Sequence, residues 1–440
     1  GMRLPTYLAA GMLHAPFFRF LAIAVGATLA WTLILLTSVQ WIGREIFPLL
    51  GRARWPLAIA ALATLVLLQR SGRRRGRHRV VSRFEFWPPW LFYLPVAPYY
   101  AWLSVRYRGW LIPTCANPAI EAGGLIGESK FAILSLVPEE HSDRMATTAF
   151  LPAEDAAVDG RTDAARAAMA AAGLDFPIVA KPDLGQRGAG IRPLDDEDEL
   201  AEYLAAFPRD ADLILQRRID PEPSARARPE DDYPFVEAGV FWWRLPGADR
   251  GEVPSLTLKQ LPSVVGDGKR TLRELIEADP RASRVKSMYF AKAAAPLDDA
   301  VAEGQRVPLV FAGNHCQGAI FRDGRDYLGA PFADRIDALA QSMPGFAFGR
   351  FDVRFASFDA FLAGEFKIIE INGVGGEMTH IWDPGAKLGE SYLTLFRQWR
   401  NAFRIGRAAA DEGTRPMKAP QFFAEWRRYR RLAVRYPAAR

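Results

Sequence analysis

Cysteine and histidine are scarce in this chain, which has two cysteines and five histidines among 440 residues. Cys115 and Cys316 alone cannot form a disulfide framework, and no Cys/His spacing typical of a zinc site occurs. These absences exclude a small disulfide-stapled domain and a zinc finger, and they favour a reducing compartment. Gly1 precedes Met2, which is typical of a scar left by tag cleavage, so it is left out of the fold reasoning.

Charge is absent from residues 20–43, "FLAIAVGATLAWTLILLTSVQWIG". At about 1.5 Å per residue, a helix of this length crosses a hydrocarbon core of about 30 Å. The run therefore predicts a membrane span, with a buried core helix or an uncleaved signal sequence as alternatives. A shorter apolar run, residues 55–69, is flanked by arginines whose side chains can reach the interface. Together the two runs predict a hairpin, with the rest of the chain inside the cell.

A dense basic cluster, "RSGRRRGRHR", follows at residues 70–79. Beside membrane segments such a cluster indicates the cytoplasmic side and binds anionic headgroups. Nucleic-acid binding is the rival interpretation, but the adjacent apolar runs favour membrane lipids as partners and no nucleic acid. The predicted location is the inner (cytoplasmic) membrane, with the remaining chain facing the cytoplasm.

Residues 84–110 are rich in aromatic residues and proline, and four prolines prevent one regular helix. We interpret them as a segment at the membrane–water interface, with an ordinary aromatic core as the alternative. Next, "GGLIGESK" (123–130) resembles a phosphate-binding loop. Gly127 and Lys130 are separated by two residues, however, whereas that motif requires Gly-Lys followed by Ser or Thr. We therefore predict no P-loop here, and the role of the loop stays open.

From about residue 160 the patterns predict alternating helices and strands. Predicted helices cover 162–174, 195–207 and 388–407, and a helix follows the turn at 266–271, where Thr271 and Glu274 have capping-box spacing. Predicted strands cover 176–183, 212–219, 235–245, 253–262, 346–358 and 365–372. The fold class is therefore α/β (α+β). The predicted domains are an anchor at 1–79, an aromatic segment and short connecting region at 80–159, an α/β domain at 160–410 and a basic tail at 411–440.

Polar side chains lie at the ends of several predicted strands. Lys181 ends one strand and is followed by the Gly-rich loop "GQRGAG" (185–190). Arg350 and Asp352 share one face of a strand, and Glu370 and Asn372 share one face of the next, because side chains alternate with a period of two. Carboxylate and amide oxygens on neighbouring strands suit Mg²⁺ bound together with phosphates. A solvated surface sheet is the alternative, which the surrounding isoleucines disfavour.

These motifs resemble the ATP-grasp superfamily, in the order "FPIVAKPDLGQRGAG", "VVGDGKRTLRELI", "GRFDVR" and "IIEINGVGGEMTH" over roughly residues 160–400. Parts are similar to D-alanine–D-alanine ligases and parts to cyanophycin synthetase-like ligases. The resemblance implies an ATP-grasp fold with two α/β subdomains that clasp ATP, preceded here by transmembrane or membrane-associated helices. It also implies an ATP-dependent, ADP-forming carboxylate–amine ligase that uses ATP and one or two Mg²⁺ ions, with Mn²⁺ as a possible substitute.

The resemblance also implies roles for individual residues. Lys181 would hold the phosphates, and Arg350 would stabilise the transferred phosphoryl group. The metal ligands would be Asp352, Glu370 and Asn372. Further nucleotide contacts would come from Gly185, Arg187, Gly188 and Gly190 of the loop, from Gln216 on the hinge strand, from Asp220 or Glu222 at the ribose, and from Lys259. His380 is a catalytic candidate near the acceptor, and Asn314 and His315 are candidates for substrate contact.

The implied substrates are a carboxylate and an amine, each a small molecule or lipid-linked, because a predicted membrane anchor suggests delivery at the membrane. A membrane-anchored kinase that phosphorylates a hydroxyl is a second interpretation. A non-catalytic ATP-binding scaffold is a third. The basic, aromatic tail at 420–440 fits either an anionic surface or a disordered segment. The patterns do not indicate an oligomeric state.

Overall fold

The computed structural model describes residues 81–82, 84–186, 188–220, 235–292, 296–315 and 318–437. All of them belong to one unit, residues 78–440. Within this part of the chain, no helix has both the length and the apolar character needed to cross a membrane. The apolar runs at 20–43 and 55–69 and the basic cluster at 70–79 lie outside the described residues, so the anchor stays a prediction.

The described strands form three sheets. Their bounds are β1 Thr148–Leu151, β2 Ile178–Pro182, β3 Arg192–Leu194, β4 Leu213–Arg217, β5 Phe235–Trp243, β6 Glu252–Gln260, β7 Ser263–Val265, β8 Arg306–Pro308, β9 Ile320–Asp323, β10 Phe348–Arg354 and β11 Lys367–Asn372. The small sheet has the order β1-β4-β2-β3, the large sheet β11-β10-β5-β6-β9, and β7 pairs with β8. All pairings between these strands are antiparallel.

Helices cover the sheets and connect them. Their bounds are α1 Pro89–Phe92, α2 Val96–Arg106, α3 Lys130–Leu134, α4 Val158–Ala171, α5 Glu197–Ala206, α6 Leu272–Ala278, α7 Lys286–Lys292, α8 Ala330–Ser342, α9 Phe358–Ala363, α10 Leu388–Asp411 and α11 Ala419–Ala433. Short 3₁₀ turns cover Ile112–Cys115, Glu121–Gly124, Glu139–Arg144, Ala282–Val285, Arg325–Tyr327 and Thr379–Trp382.

The small sheet and the large sheet each have their own apolar core. The small-sheet core joins β1, β2 and β4 to α4 and α5, and it includes Leu432 and Tyr436 from the C-terminal segment. The large-sheet core packs α8 and α9 against β5, β6, β10 and β11. All nine residues of β5 are buried, and apart from Glu237 the strand carries no charged or polar side chain. The prediction of a mixed α/β fold is therefore confirmed.

Local sequence signals explain several element boundaries. The side chain of Asp196 accepts a hydrogen bond from the Glu199 amide and begins α5, whose first turn is acidic. Thr271 and Glu274 form the predicted capping box of α6. In the aromatic segment the chain forms two separate helices, α1 and α2, which confirms that residues 84–110 are not one regular helix.

Other elements differ from the predictions. The helix predicted from residue 162 begins at Val158, and β1 joins the small sheet from before the predicted boundary at residue 160. Strands β1 and β9 were not predicted, because four residues are too few to show a period of two. The tail is helical over Ala419–Ala433, which contradicts the alternative of a disordered tail for this stretch.

Candidate active site

A cavity of about 410 Å³ is lined by residues of both the small and the large sheet. The small sheet contributes Lys181 from β2 and Gln216 from β4, and the loop after β2 contributes Gly185 and Gly188. The large sheet contributes residues of β5, β6, β10 and β11: Glu237, Lys259, Arg350, Asp352, Arg354, Ile369, Glu370 and Asn372. The cavity therefore brings together most of the residues that the sequence assigned to one site.

The pairing of β10 with β11 explains how the predicted metal ligands meet. Asp352 lies opposite Glu370, and Arg350 lies opposite Asn372. The Asn372 side-chain amide donates a hydrogen bond to Asp352 Oδ2 at 3.0 Å. The three side chains share one face of the pair, as the alternation along each strand predicts. Their oxygens therefore form one cluster on the cavity wall.

Asp352 is held in a buried network of charges. Its Oδ1 accepts hydrogen bonds from Lys259 Nζ at 2.8 Å and Arg350 Nε at 3.1 Å, and its Oδ2 accepts one from Arg350 Nη2 at 2.8 Å. Burial raises the pKa of this carboxyl, but Arg350 and Lys259 outweigh burial and bring the pKa to about 2. Asp352 is therefore ionised at neutral pH, and its lone pairs are already engaged by cations.

Lys259 lies at the centre of this network. Its ammonium also donates to Glu237 Oε1 at 2.6 Å, and Glu237 in turn is 3.4 Å from Arg354 Nε. Burial lowers the pKa of Lys259, but Asp352 and Glu237 raise it above its usual value. Lys259 is buried, which excludes a solvated surface position for this residue.

Lys181 is buried, and its ammonium group lies at the junction of the two sheets. Its Nζ donates to Gln216 Oε1 at 3.0 Å and to the carbonyl of Ile369 at 2.7 Å. Burial lowers the pKa of this lysine to about 8, although Glu370 opposes the shift. Gln216 also donates from Nε2 to Thr148 Oγ1 at 2.9 Å, so its side chain orients Lys181.

The loop after β2 meets the cavity with only part of its length. Gly185 and Gly188 line the cavity, whereas Arg187 lies outside the described residues. Gly190 does not line it; a Cβ there would lie 2.7 Å from the Pro182 ring, and its φ of +73° favours glycine. Gly190 therefore serves the packing of the loop against β2.

Two further predicted site residues do not line the cavity. Asp220 accepts a hydrogen bond from Arg218 Nε at 2.9 Å, while Glu222 lies outside the described residues. His380 is buried, and its Nδ1 is 2.6 Å from Ser255 Oγ. Burial, with Arg325, lowers its pKa to about 4, so the ring is neutral at pH 7. A catalytic role for His380 stays a prediction. Its side chain does not line the cavity, so the structure does not favour that role.

The substrate-contact candidates Asn314 and His315 line the cavity, as do residues that sequence reasoning missed. Lys130 Nζ is 4.0 Å from Glu370 Oε1, 3.4 Å from the Asp183 carbonyl, and donates to the Gly185 carbonyl. Its partners are far away in the chain, so local patterns could not reveal this role. The carboxylate of Glu237 and the guanidinium of Arg354 were missed for the same reason.

The glycines of the loop 123–130 have a structural role that also links it to the cavity. Val374 and Gly375 amides donate to the carbonyls of Gly123 and Gly124, at 3.0 and 2.7 Å. A Cβ on Gly124 would lie 2.7 Å from the Gly373 Cα. Glycine therefore allows two backbones to approach closely. The resemblance to a P-loop reflects this packing, and the loop brings Glu128 and Lys130 to the cavity wall.

The oxygen cluster fits a divalent cation. Among the described residues, no three His, Cys, Asp or Glu side chains are grouped so that they could hold a metal ion. Asp352 and Glu370 supply two carboxylates, and Asn372 adds an amide oxygen as the third ligand group. Hard oxygen ligands with few protein contacts are what Mg²⁺ uses beside phosphates. Glu370 and Asn372 would hold the ion first, because the Asp352 oxygens are engaged by Arg350 and Lys259.

Comparisons with known proteins give low similarity. No protein-family model and no curated protein matches the chain. The chain is similar to a bifunctional glutathione synthetase from Pasteurella multocida, at 15% identity and a TM-score of 0.30 over 61% of this chain and 36% of that one. It is also similar to the VanG D-Ala:D-Ser ligase from Enterococcus faecalis, at 14% identity and 0.36 over 65% and 64%.

A third similar structure is the D-alanine–D-alanine ligase from Bacillus anthracis, at 13% identity and a TM-score of 0.36 over 67% of this chain and 72% of that one. The same enzyme in complex with ATP matches at 0.34. The chain thus spans about a third of the first protein and just under two thirds of the second. TM-scores this low establish no family, so the ATP-grasp interpretation depends on the motifs and on the residues that meet in the cavity.

Proposed function

We propose that this protein is an ATP-grasp enzyme that joins a carboxylate to an amine at the expense of ATP. The observation that supports it best is the convergence, in one cavity, of the buried cation Lys181, the glycine loop after β2 and the oxygen cluster of Asp352, Glu370 and Asn372. A phosphate-binding cation and hard oxygen ligands are the parts that phosphoryl transfer requires.

The proposed reaction has two steps. A carboxylate oxygen of the first substrate attacks the γ-phosphorus of ATP, and the bond to the bridging oxygen breaks, giving an acyl phosphate and ADP. The amine nitrogen of the second substrate then attacks the acyl carbon, phosphate leaves, and the nitrogen loses a proton to give the amide. Glu370 and Asn372 would hold Mg²⁺, which would offset the negative charge of the phosphates.

The residues of the chain supply position and charge. Lys181 presents its ammonium from a buried position fixed by Gln216, so little reorganisation accompanies the reaction. Lys130 adds a second cation beside Gly185 and Glu370. Arg350 is bound to Asp352 and donates from Nη1 to the Glu377 carbonyl at 3.1 Å, which fixes its guanidinium on the cavity wall. Its contact with the transferred group is part of the proposal.

Turnover by a Glu370 variant tests the proposal. The full chain, purified in detergent, is incubated with ATP, Mg²⁺, a lipid extract of the source cells and hydroxylamine, which traps an acyl phosphate as a hydroxamate. We expect Glu370→Gln to lower ADP release at least about 100-fold, because Mg²⁺ would lose a charged carboxylate ligand beside the phosphates. The matched control is Glu365→Gln, an exposed carboxyl just before β11, which should keep full activity.

The products distinguish the alternatives. Hydroxamate formation with release of ADP supports the ligase. A phosphorylated product without hydroxamate would identify a kinase, and ATP binding without ADP release would identify a scaffold. Undiminished ADP release by Glu370→Gln would contradict the site itself.

A further inference from the structure

An exposed apolar surface covers α1, α2 and the turn between them. The chain has no charged residue from position 86 to position 105, although both helices reach the surface. Trp90, Leu94, Trp102 and Val105 are between 52% and 81% exposed, and we call these four residues the apolar face. Single exposed apolar residues are common, but four large ones with no charge between them mark an interaction surface.

The opposite side of the same helices is packed inside the protein. The ring of Phe92 is 4.5 Å from that of Trp382, and Leu103 is fully buried together with Phe403 of α10. These helices are therefore apolar on both sides. A helix that is apolar all round is normally covered all round. Among the described residues only the inner side is covered.

The amphipathic helix α11 packs against the chain just after α2. Trp110, just after α2, packs against Phe422 and Phe423 with ring centroids 5.2 and 6.3 Å apart. Phe423 and Trp426 are exposed, and the Arg430 guanidinium lies 5.0 Å from the Trp426 ring. Further exposed arginines of α11 are Arg427, Arg428 and Arg431. Aromatic rings with arginines beside them are typical of helices that lie in the headgroup region of a membrane.

We propose that the apolar face and the exposed aromatic side of α11 lie in the headgroup region of an anionic lipid bilayer. The positive charge of Arg106, Arg108 and α11 selects this occupant, because it complements anionic headgroups. A second copy of the same surface would instead bring like charges together across an interface.

The position of the face has a consequence for substrates, which rests on the proposed function. Trp87, Pro89 and Tyr93, next to the apolar face, line the cavity. Contact of the face with lipid brings this aromatic wall of the cavity close to the bilayer. The geometry thus assigns at least one substrate of the ligase to the lipid-linked class.

Spin labels on the full chain test the proposal. With Cys115 and Cys316 replaced by serine, a nitroxide is attached at Trp90→Cys or Val105→Cys, and the protein is placed in phosphatidylcholine–phosphatidylglycerol vesicles. Collisions with oxygen, which partitions into lipid, and with a water-soluble nickel complex are measured by electron paramagnetic resonance. The control is Leu362→Cys on α9, an apolar residue that is 41% exposed.

We expect the ratio of oxygen to nickel accessibility at positions 90 and 105 to exceed that at 362 several-fold. Equal ratios at all three positions would overturn the proposal. Spectral broadening at position 105 that disappears on dilution with unlabelled protein would also overturn it, since a second copy would then cover the face. These readouts need no ATP turnover, so a failed ligase assay leaves them valid, and the far-UV circular dichroism spectrum of each labelled chain shows that it is folded.

Discussion

Lys181 is a buried lysine whose ammonium group loses its proton near pH 8, well below the usual range for a lysine. Burial is the main cause, because desolvation disfavours the charged form. The nearby Glu370 carboxylate opposes the shift, and bound phosphates would oppose it further. The free protein therefore holds the cation that we propose binds phosphate close to its titration point.

This pKa predicts how ATP affinity depends on pH. The charged fraction of Lys181 falls as the pH rises through about 8, so we expect the Kd for ATP to increase by up to about tenfold per pH unit above 8. Binding at pH 8 should take up a proton. Calorimetric titrations between pH 7 and 9.5 measure both effects.

The control for Lys181 is Lys181→Arg, which stays protonated over this range. Its Kd should be nearly independent of pH between 7 and 9.5, whatever its absolute value. Equal slopes for the two proteins would show that another group causes the pH dependence.

Lys259 is the cation that neutralises two buried carboxylates, those of Glu237 and Asp352. Its removal leaves Asp352 Oδ1 and Glu237 Oε1 without their ammonium partner inside the protein. We expect Lys259→Met to lower the free energy of unfolding by about 3 kcal/mol, the lower end for a broken buried pair, because Arg350 and Arg354 remain. Chemical denaturation measures the loss.

Lys387→Met is the matched control for this change. Lys387 also bonds to a carboxylate, Glu390 Oε1 at 2.7 Å, but both side chains are more than 60% exposed. Exposed pairs contribute little, so the unfolding midpoint should hardly change. A similar loss in both variants would mean that burial of the network is unimportant.

At the scale of elements, two glycine loops meet edge to edge beside the cavity. Gly124 combines a φ of +74° with a Cβ position 2.7 Å from Gly373. We expect Gly124→Ala to destabilise the protein, first through the left-handed backbone and then by displacing Gly373, which follows Asn372, a proposed metal ligand. Overpacking of this kind costs about 1–3 kcal/mol, and ATP turnover should fall as well.

Gly173→Ala isolates the backbone part of this cost. Gly173 has a φ of +62°, but nothing lies within 4 Å of a Cβ placed there. The free energy of unfolding of the Gly173→Ala variant should fall only by the cost of a left-handed backbone at alanine, about 1–2 kcal/mol. The variant should keep its ATP turnover. If the two variants behave alike, close approach of the two loops is not what the glycine at 124 provides.

The elements show what the sequence could and could not predict. Strands β2, β4, β5, β6, β10 and β11 were predicted because each has several apolar residues between turn residues, and polar residues near their ends indicated the candidate site. Lys130 and Glu237 were not predicted, since their contacts join segments far apart in the chain. The pairing of the P-loop-like glycines with residues 373–375 was not predicted, because it depends on tertiary structure.

At the scale of the whole molecule, the C-terminal segment is part of the small-sheet core. Tyr436 stacks on Phe207 with ring centroids 5.6 Å apart, and its hydroxyl donates to the Leu184 carbonyl at 2.6 Å. Leu184 begins the loop whose glycines line the cavity. The tail predicted from its charge to lie on a membrane therefore also braces this loop, which composition could not reveal.

This contact has a consequence for the order of events during synthesis. The strands of the small sheet are complete at residue 217, but the side chain that covers Phe207 is added roughly 220 residues later. At about 5–20 residues per second, a ribosome takes on the order of 10–45 s to make that stretch. During this interval the small sheet of the nascent chain exposes part of its core. We therefore expect chaperones that bind emerging chains to bind this region.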